Sequence, residues 1–531
     1  TDVFPDELKG NAELQAAIEA VKGTPASNFW GDLLAYADGF GPFVLGSVLS
    51  RELLSLTSFQ RMMLASAPTA LGGILRLWEA QQADEGQGKA AVLKLLTISV
   101  IGLLGVYYFI KVSDVTEIQA TDLEYWGLML SNALSGAGIA TFSIAMGALA
   151  AAAPNDTLQA SHDRIYRLTG TVPKTTWMSH FLRKGPADWM GMAAGIGGST
   201  PVFEVIGATY AVSSIGLGET YALAATTTLA GQVALYFFWH NLIFDQLRAN
   251  GVPMAEDSKI AKWMGQTKQV DPEITFSDKV ASLSASEVRA IAVMCFSYIA
   301  TFGVLMAFTS TGILMFERRG ESKEMAAGLV AGVSGVSTLV RSCMAIPEKW
   351  PVSAGTLTNT SLVMMALSLS LFATLEDRHD WLMCLPLFSI FNGVGLYAVF
   401  KQIPEDLPEK VSLAGGFAGG FGAFAAIFIN LGFAGLEPSN SVSGESATGM
   451  PQTKTANEYF LGVAICSAAL LTNIIYEYKK EKRSNTSPSA TELSALNLWA
   501  QRTPGYTPLS DVSVLELTDG GGEKRHAVVA V

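Results

Sequence analysis

The strongest constraint on this sequence is a series of apolar stretches, each about 20 residues long, that recurs along most of the chain. A helix of this length crosses the hydrocarbon core of a bilayer, and it satisfies its own backbone polar groups there. Charged residues make up 15% of the chain, whereas a soluble domain carries about 25%. The sequence therefore predicts an all-α membrane protein.

Each apolar stretch predicts one transmembrane helix. The predicted bounds of the twelve helices are 28–50, 60–82, 90–111, 124–153, 186–213, 219–243, 287–315, 323–346, 352–374, 380–402, 411–435 and 457–478. A long polar stretch, 244–286, lies between the sixth and the seventh helix and is predicted to be a cytoplasmic loop. It divides the chain into two six-helix halves, 28–243 and 287–478, a plan typical of membrane proteins built from repeats that are related by pseudo-symmetry.

The two ends of the chain are more polar than the helices. Residues 1–27 are polar and acidic and show no signal-peptide pattern, so we expect a cytoplasmic N-terminal segment. Residues 479–531 are rich in Ser, Thr and Gly, and they predict a disordered cytoplasmic tail where a regulatory partner would bind. The loops that follow the even-numbered helices hold most of the Lys and Arg residues. The positive-inside rule therefore places both termini in the cytoplasm, at a plasma membrane or an inner membrane.

Glycine motifs recur in corresponding helices of the two predicted halves. Helix 4 contains Gly136 and Gly138, and helix 10 contains Gly393 and Gly395 with the same spacing. Rows of glycines also mark helices 5 and 11, among them Gly195, Gly198, Gly416 and Gly420. Such glycines let helix backbones approach closely and slide during a conformational change, although helix packing alone accounts for them equally well.

Single arginines lie within the corresponding helices 2 and 8, at Arg76 and Arg341. An arginine at the centre of a membrane helix costs roughly 2.5–3.5 kcal/mol, so it is retained where it faces a cavity, a partner charge or an anion. Related by pseudo-symmetry, the two guanidiniums would face each other and bind a planar oxyanion through paired hydrogen bonds. The alternative is a structural role, in which the arginines contact helix carbonyls, water or Glu79.

Aromatic residues lie in helices 4, 7 and 10, close to the expected level of the arginines. They are Phe142, Tyr298, Phe302 and Phe400. A planar anion fits between ring edges, and a tyrosine hydroxyl can donate a hydrogen bond to it. Ordinary helix packing explains each ring as well.

Several motifs give this sequence a family resemblance. They are TSFQR at 57–61, APTALGGILRL at 67–77, GAGIATF at 136–142, YIATFG at 298–303 and VFKQIPE at 399–405. With these motifs the chain resembles, over residues 28–435, the nitrate/nitrite porter family of the major facilitator superfamily. The resemblance implies the major facilitator fold, binding of the anion by Arg76 and Arg341, and packing of Phe142 against it.

The resulting hypothesis is a secondary active transporter of nitrate, nitrite or both, which works by alternating access and is coupled to protons. Uptake of an anion against the membrane potential costs about 2.3 kcal/mol per charge and 100 mV. Glu204 in helix 5 is the predicted proton carrier, and Asp32 and Asp38 in helix 1 are further candidates. A neutral Glu204 bonded to a neighbouring helix is the structural alternative. The family usually has an Asn in helix 5 where this sequence has Pro201.

Other functions are compatible with the same fold. One is exchange of nitrate for nitrite, or transport of another small anion such as a monocarboxylate, and another is a nitrate sensor that binds without transport. The sequence has no nucleotide-binding loop, and its five histidines and four cysteines show no metal-ligand spacing. We therefore expect no enzymatic activity, cofactor, metal or nucleic acid. The expected partners are the small anion and membrane lipid.

Overall fold

The computed structural model describes most of the apolar part of the chain. The described residues are 34–35, 37–53, 55–84, 88–113, 117–119, 121–141, 194–238, 276–346, 351–407, 410–436, 441–445, 451–486, 512–518 and 524–530. The predicted ring Phe142, the candidate Asp32, the N-terminal segment 1–27 and most of the predicted loop 244–286 lie outside these residues.

Helices make up nearly all of the described structure. In chain order they are α1 (Leu45–Glu52), α2 (Ser58–Asp84), α3 (Gly88–Val112), α4 (Leu123–Ser135), α5 (Thr200–Ile215), α6 (Leu217–Phe238), α7 (Ala285–Arg318), α8 (Lys323–Met344), α9 (Ala354–Thr374), α10 (Arg378–Asp406), α11 (Val411–Gly435) and α12 (Phe460–Thr486). A 3-10 turn, Pro42–Val44, leads into α1, and a short helix, Phe276–Ala281, precedes α7. The predicted spans agree closely with α2, α3, α7, α8, α9 and α11.

Seven helices in the described residues, α3 and α7–α12, are long and apolar enough to cross a membrane. Large apolar side chains cover the outward surface of the helices. Phe203, Met383 and Leu471 are 72%, 65% and 61% exposed. Because contact of such side chains with water is unfavourable, lipid covers them, and the chain is a multi-pass membrane protein.

Two helix pairs meet at close range, α2 with α11 and α5 with α8. A Cβ atom added to Gly73 in α2 would lie 2.5 Å from the Phe424 nitrogen and 2.8 Å from its Cα atom. A Cβ atom added to Gly195, just before α5, would lie 2.7 Å from the carbonyl oxygen of Thr338 in α8. Glycine is therefore required where these helix backbones meet.

The predicted glycines of helix 4 lie in a 3-10 turn, Gly136–Ala140, that continues α4. Added Cβ atoms would collide with backbone atoms of other helices, at Gly136 with Pro68 in α2 and at Gly138 with Gly39 before α1. Because Gly136 has no side chain, the end of α4 can lie directly against the backbone of α2. The remaining predicted glycines, Gly198, Gly416 and Gly420, are buried.

Short strands occur in two places. The antiparallel strands β1 (Ser441–Glu445) and β2 (Pro451–Thr453) lie between α11 and α12. In the segment 479–531, for which the sequence predicts disorder, α12 continues to Thr486, and β3 (Val512–Thr518) pairs with β4 (Lys524–Ala530). The helix continues because Lys, Glu and Arg at 479–483 are strong helix formers, and the strands form because valines recur in both segments. In the part of the tail that the structure describes, local sequence preference favours this helix end and these strands, whereas 487–511 and 519–523 lie outside the described residues.

Candidate anion-binding site

Arg76 lies in α2 and is fully buried, with 0% of its surface exposed. Its Nε atom donates to the carbonyl oxygen of Ile139 at 2.8 Å, in the turn that continues α4. Its Nη1 atom donates to the carbonyl oxygen of Gly419 in α11 at 3.1 Å. Glu79, which the sequence offered as an alternative partner, accepts a hydrogen bond from Lys94 Nζ at 2.5 Å. Two helix carbonyls therefore fix the direction of the Arg76 guanidinium.

Arg341 lies in α8 and is 2% exposed. Its Cζ atom lies 5.4 Å from the centre of the Phe400 ring in α10. The Cζ atom of Arg76 lies 5.0 Å from the centre of the Phe302 ring in α7 and 5.2 Å from that of Phe40. A desolvated cation over an aromatic face gains about 2 kcal/mol. The rings therefore offset part of the cost of burying both charges.

Tyr298 in α7 connects the surroundings of the two arginines. Its side chain is fully buried, and the charges of Arg76 and Arg341 both act on its hydroxyl group. The Tyr298 ring stacks on Phe302, with centres 4.9 Å apart and an angle of 13° between the planes. It meets the Phe400 ring edge-on, also at 4.9 Å. The structure thus brings both arginines together with three aromatic residues singled out in the sequence, Tyr298, Phe302 and Phe400, in one buried site.

Phe40, just before α1, belongs to the same site, although it is not among the residues predicted from the sequence. Its ring centre lies 6.1 Å from that of Phe302. A sequence signal was present, because the dipeptide Phe-Gly occurs at 40–41 in helix 1 and at 302–303 in helix 7. Its offset of 262 residues lies between the offset of the glycine pairs in helices 4 and 10, 257, and that of the two arginines, 265. Rings from corresponding helices therefore meet beside Arg76.

The glycine row of α11 gives the aromatic rings their space. A Cβ atom added to Gly422 would lie 2.6 Å from Cδ1 of Tyr298 and 3.3 Å from Cδ1 of Phe302. Any side chain at position 422 would therefore displace the Tyr298 ring. The position of this ring depends on α11 as well as on α7.

Glu204 in α5 and Asp38 before α1 are partly buried and lie close to glycines of neighbouring helices. A Cβ atom added to Gly41 would lie 2.5 Å from Glu204 Oε2, and one added to Gly231 would lie 2.5 Å from both carboxylate oxygens of Asp38. The Asp38 charge acts on Glu204. Pro201 is buried in the first turn of α5. The structure therefore groups Glu204 with one of the two helix 1 candidates.

A solved structure shares this arrangement of helices. The xylose transporter XylE from E. coli, in a partially occluded inward open conformation, superposes with a TM-score of 0.55 at 12% sequence identity, covering 84% of this chain and 96% of that one. The chain has the major facilitator fold. No family model and no curated protein matches the sequence. At 12% identity the likeness concerns the fold alone, so the substrate of this protein has to be argued from its site.

Proposed function

We propose that this protein is a secondary active transporter that moves nitrate, nitrite or both across a membrane by alternating access. The proposal rests on the two buried arginines, Arg76 and Arg341, in a chain that has the major facilitator fold. Both lie close enough to Tyr298 for their charges to act on its hydroxyl group. In transporters built from such repeats the substrate site lies near the bilayer midplane, between the repeats. Because two buried positive charges repel each other and are poorly solvated, this site favours a negatively charged substrate.

The chemistry of the site favours a small planar oxyanion. A guanidinium presents its donors in a planar fork that matches two oxygens of such an anion. Flat ions pack well against aromatic rings such as those of Phe302 and Phe400. The porter-like motifs at 67–77 and 298–303, which contain Arg76 and Tyr298, favour nitrate and nitrite over other anions.

Competition experiments test this substrate class. In proteoliposomes, unlabelled nitrite is expected to inhibit uptake of labelled nitrate at concentrations similar to those of unlabelled nitrate, because both anions offer two coplanar oxygens. Acetate is expected to inhibit far less, because its methyl group has to fit among packed rings. Inhibition by acetate as strong as that by nitrite would instead assign the site to monocarboxylates.

We infer that the segments 28–243 and 287–478 form two halves related by pseudo-symmetry. The contacts between α2 and α11 and between α5 and α8 support this inference. In two such halves α2 corresponds to α8 and α5 corresponds to α11, so the pseudo-symmetry turns one of these contacts into the other. Arg76 would then link the halves, since it lies in the first and donates to Gly419 in the second.

Two contacts also join these segments on the side of the site that the predicted topology places outside. Asn430 in α11 donates from Nδ2 to Ser66 Oγ in α2 at 2.6 Å and to Ser310 Oγ in α7 at 2.7 Å. All three side chains are fully buried. Farther out, Lys323 Nζ lies 3.4 Å from Glu52 Oε1. Ser310 lies in the same segment as Asn430, so opening of the site to the outside would break the bond of Asn430 to Ser66 and the pair of Lys323 with Glu52. These two contacts would therefore stabilise the state that is closed on the outside.

Replacement of Asn430 by alanine is expected to shift the protein towards the outward-open state. Thr69 is buried in α2, inward of Ser66, so a cysteine introduced at position 69 reports on this opening. With Asn430→Ala, this cysteine is expected to react about tenfold faster with a membrane-impermeant maleimide added outside, since the buried hydrogen bond to Ser66 no longer opposes opening.

The matched control is Asn473→Ala. Asn473 is a buried asparagine in α12 whose bond to Asn359 Oδ1, at 2.9 Å, stays within 287–478. This control is expected to leave the labelling rate unchanged. Equal labelling rates for Asn430→Ala and the unsubstituted protein would show that Asn430 does not stabilise the state that is closed on the outside.

Proton coupling is proposed to use Glu204, with Asp38 beside it. A carboxylate that gains and loses a proton during the transport cycle lets a proton accompany the anion and offset its charge. Glu204→Gln is therefore expected to abolish uptake of nitrate driven by an inward proton gradient while leaving exchange of external nitrate for internal nitrite. A pH jump across liposomes, with and without internal nitrite, measures both the gradient-driven uptake and the exchange.

Glu219→Gln is the control for Glu204→Gln, because Glu219 pairs with Lys111. Gradient-driven uptake that survives Glu204→Gln would assign coupling to another group.

A further inference from the structure

The helix that carries Tyr298 and Phe302 is interrupted at the anion site. In α7, residues Ile299–Gly303 form a π-helical turn, which contains Phe302 and directly follows Tyr298. Ala300, Thr301 and Phe302 in this turn are 0%, 0% and 3% exposed. A π-helical turn inside an α-helix is rare and often occurs at functional sites, because it changes the direction of the side chains around it.

A buried asparagine of α10 is bonded to this turn. The Nδ2 atom of Asn392 donates to the carbonyl oxygen of Thr301 at 2.8 Å, and Asn392 is 0% exposed. The backbone of α10 lies directly against the turn, since a Cβ atom added to Gly395 would be 2.6 Å from Thr301 Cγ2. The turn is therefore fixed from the α10 side by one side-chain hydrogen bond and one close contact.

The same part of α10 also contacts the helix that carries Arg341. A Cβ atom added to Gly393, the residue after Asn392, would lie 2.8 Å from Cβ of Val340, the neighbour of Arg341. Ser337 Oγ in α8 donates to the carbonyl oxygen of Ser389 in α10 at 3.0 Å. Asn392 thus lies where α10 meets both the aromatic and the arginine side of the site.

We propose that Asn392 is a positioning residue for the anion site. By holding the carbonyl group of Thr301, it fixes the π-helical turn and with it the Tyr298 and Phe302 rings relative to Arg76. It acts on the anion only through these groups. The proposal rests on the proposed function, because it concerns the affinity of the same site for its anion.

The chain offers a matched control for a purely structural role. Asn132 in α4 is also 0% exposed and donates from Nδ2 to a backbone carbonyl, that of Leu64 in α2, at the same distance of 2.8 Å. In the described residues the Oδ1 atoms of Asn132 and Asn392 are both buried without a hydrogen-bond partner. The two asparagines therefore differ mainly in whether the carbonyl they bind lies in the turn beside Tyr298.

The experiment measures nitrate binding by isothermal titration calorimetry on the purified full-length protein, together with thermal unfolding. Asn392→Leu, which keeps the size of the side chain and removes the donor, is expected to raise the nitrate Kd about tenfold, because the rings lose their fixed position. The two variants, Asn392→Leu and Asn132→Leu, are expected to lower the unfolding temperature by similar amounts. Asn132→Leu is expected to leave the nitrate Kd unchanged.

Asn392→Asp provides a second readout that depends on pH. A buried carboxyl group is protonated at low pH, where its O–H group can donate to Thr301 as the amide does. The nitrate Kd of the Asn392→Asp variant is therefore expected to approach that of the unsubstituted protein at low pH and to rise as the pH increases. A structural role alone would not produce this dependence.

The outcomes separate the two proposals. An unchanged Kd in Asn392→Leu, or an equal rise in Asn132→Leu, would overturn the positioning role while leaving nitrate transport in place. Absence of nitrate binding and uptake by the unsubstituted protein would overturn the proposed function, and the role of Asn392 in nitrate binding with it.

Discussion

Nitrate binding is expected to fall by about 100-fold when either Arg76 or Arg341 is replaced by lysine. A guanidinium has five N–H donors, so Arg76 can bond to the carbonyls of Ile139 and Gly419 and also present donors to an anion. A lysine keeps the positive charge, but its three donors all leave one nitrogen atom, so it cannot bond to both carbonyls and also present a paired donor to two anion oxygens. The expected loss corresponds to about 3 kcal/mol, a value typical of charge-assisted hydrogen bonds in a buried site.

Isothermal titration calorimetry of nitrate into the purified variants measures this loss. Arg61→Lys is the matched control, because Arg61 is also a buried arginine of α2, 3% exposed, whose Nε atom donates to the carbonyl oxygen of Leu56 at 3.0 Å. This variant is expected to bind nitrate like the unsubstituted protein. Unchanged nitrate affinity in both Arg76→Lys and Arg341→Lys would rule out the arginine pair as the anion site.

Transport is expected to fall about tenfold or more when Gly73 is replaced by alanine. The added Cβ atom would lie 2.5 Å from the backbone nitrogen of Phe424, and backbone cannot move aside as a flexible side chain can. The methyl group would therefore push α2 away from α11, and overpacking of this kind costs about 1–3 kcal/mol. Since Arg76 bonds to Gly419 across the same contact, the displacement also reaches the anion site.

The rate of labelled nitrate uptake into proteoliposomes measures the effect of Gly73→Ala. Gly328→Ala is the control, because an added Cβ atom at Gly328 in α8 meets nothing within 4 Å. This control is expected to transport at the normal rate. A normal rate in Gly73→Ala, at equal amounts of reconstituted protein, would mean that close contact between α2 and α11 is not needed for the transport cycle.

From the sequence alone we expect five residues to lie near one another, and the structure brings them together: Arg76, Arg341, Tyr298, Phe302 and Phe400. The prediction was possible because the glycine motifs of the sequence predict that helix 2 corresponds to helix 8, and because charge is so costly in a membrane helix that one arginine per helix is a strong signal. The apolar length of each span likewise located most helices of the major facilitator fold.

Features that depend on contacts between distant helices were not predicted. Phe40 was missed because a single phenylalanine in an apolar helix carries no signal of its own, and its partner Phe302 is distant in sequence. Asn392 was missed because an asparagine in helix 10 does not reveal which carbonyl it binds, and the π-helical turn that supplies this carbonyl has no clear sequence signature. The ion pair of Glu79 with Lys94 likewise depends on how α2 packs on α3.

Uptake of labelled nitrate by the reconstituted, full-length protein tests the central claim most directly. We expect saturable uptake above that of protein-free liposomes, and loss of this uptake in both Arg76→Lys and Arg341→Lys. Nitrate binding without any uptake would support a sensor instead of a transporter. Uptake by the unsubstituted protein no faster than in protein-free liposomes, under a proton gradient and with internal nitrite alike, would contradict the account.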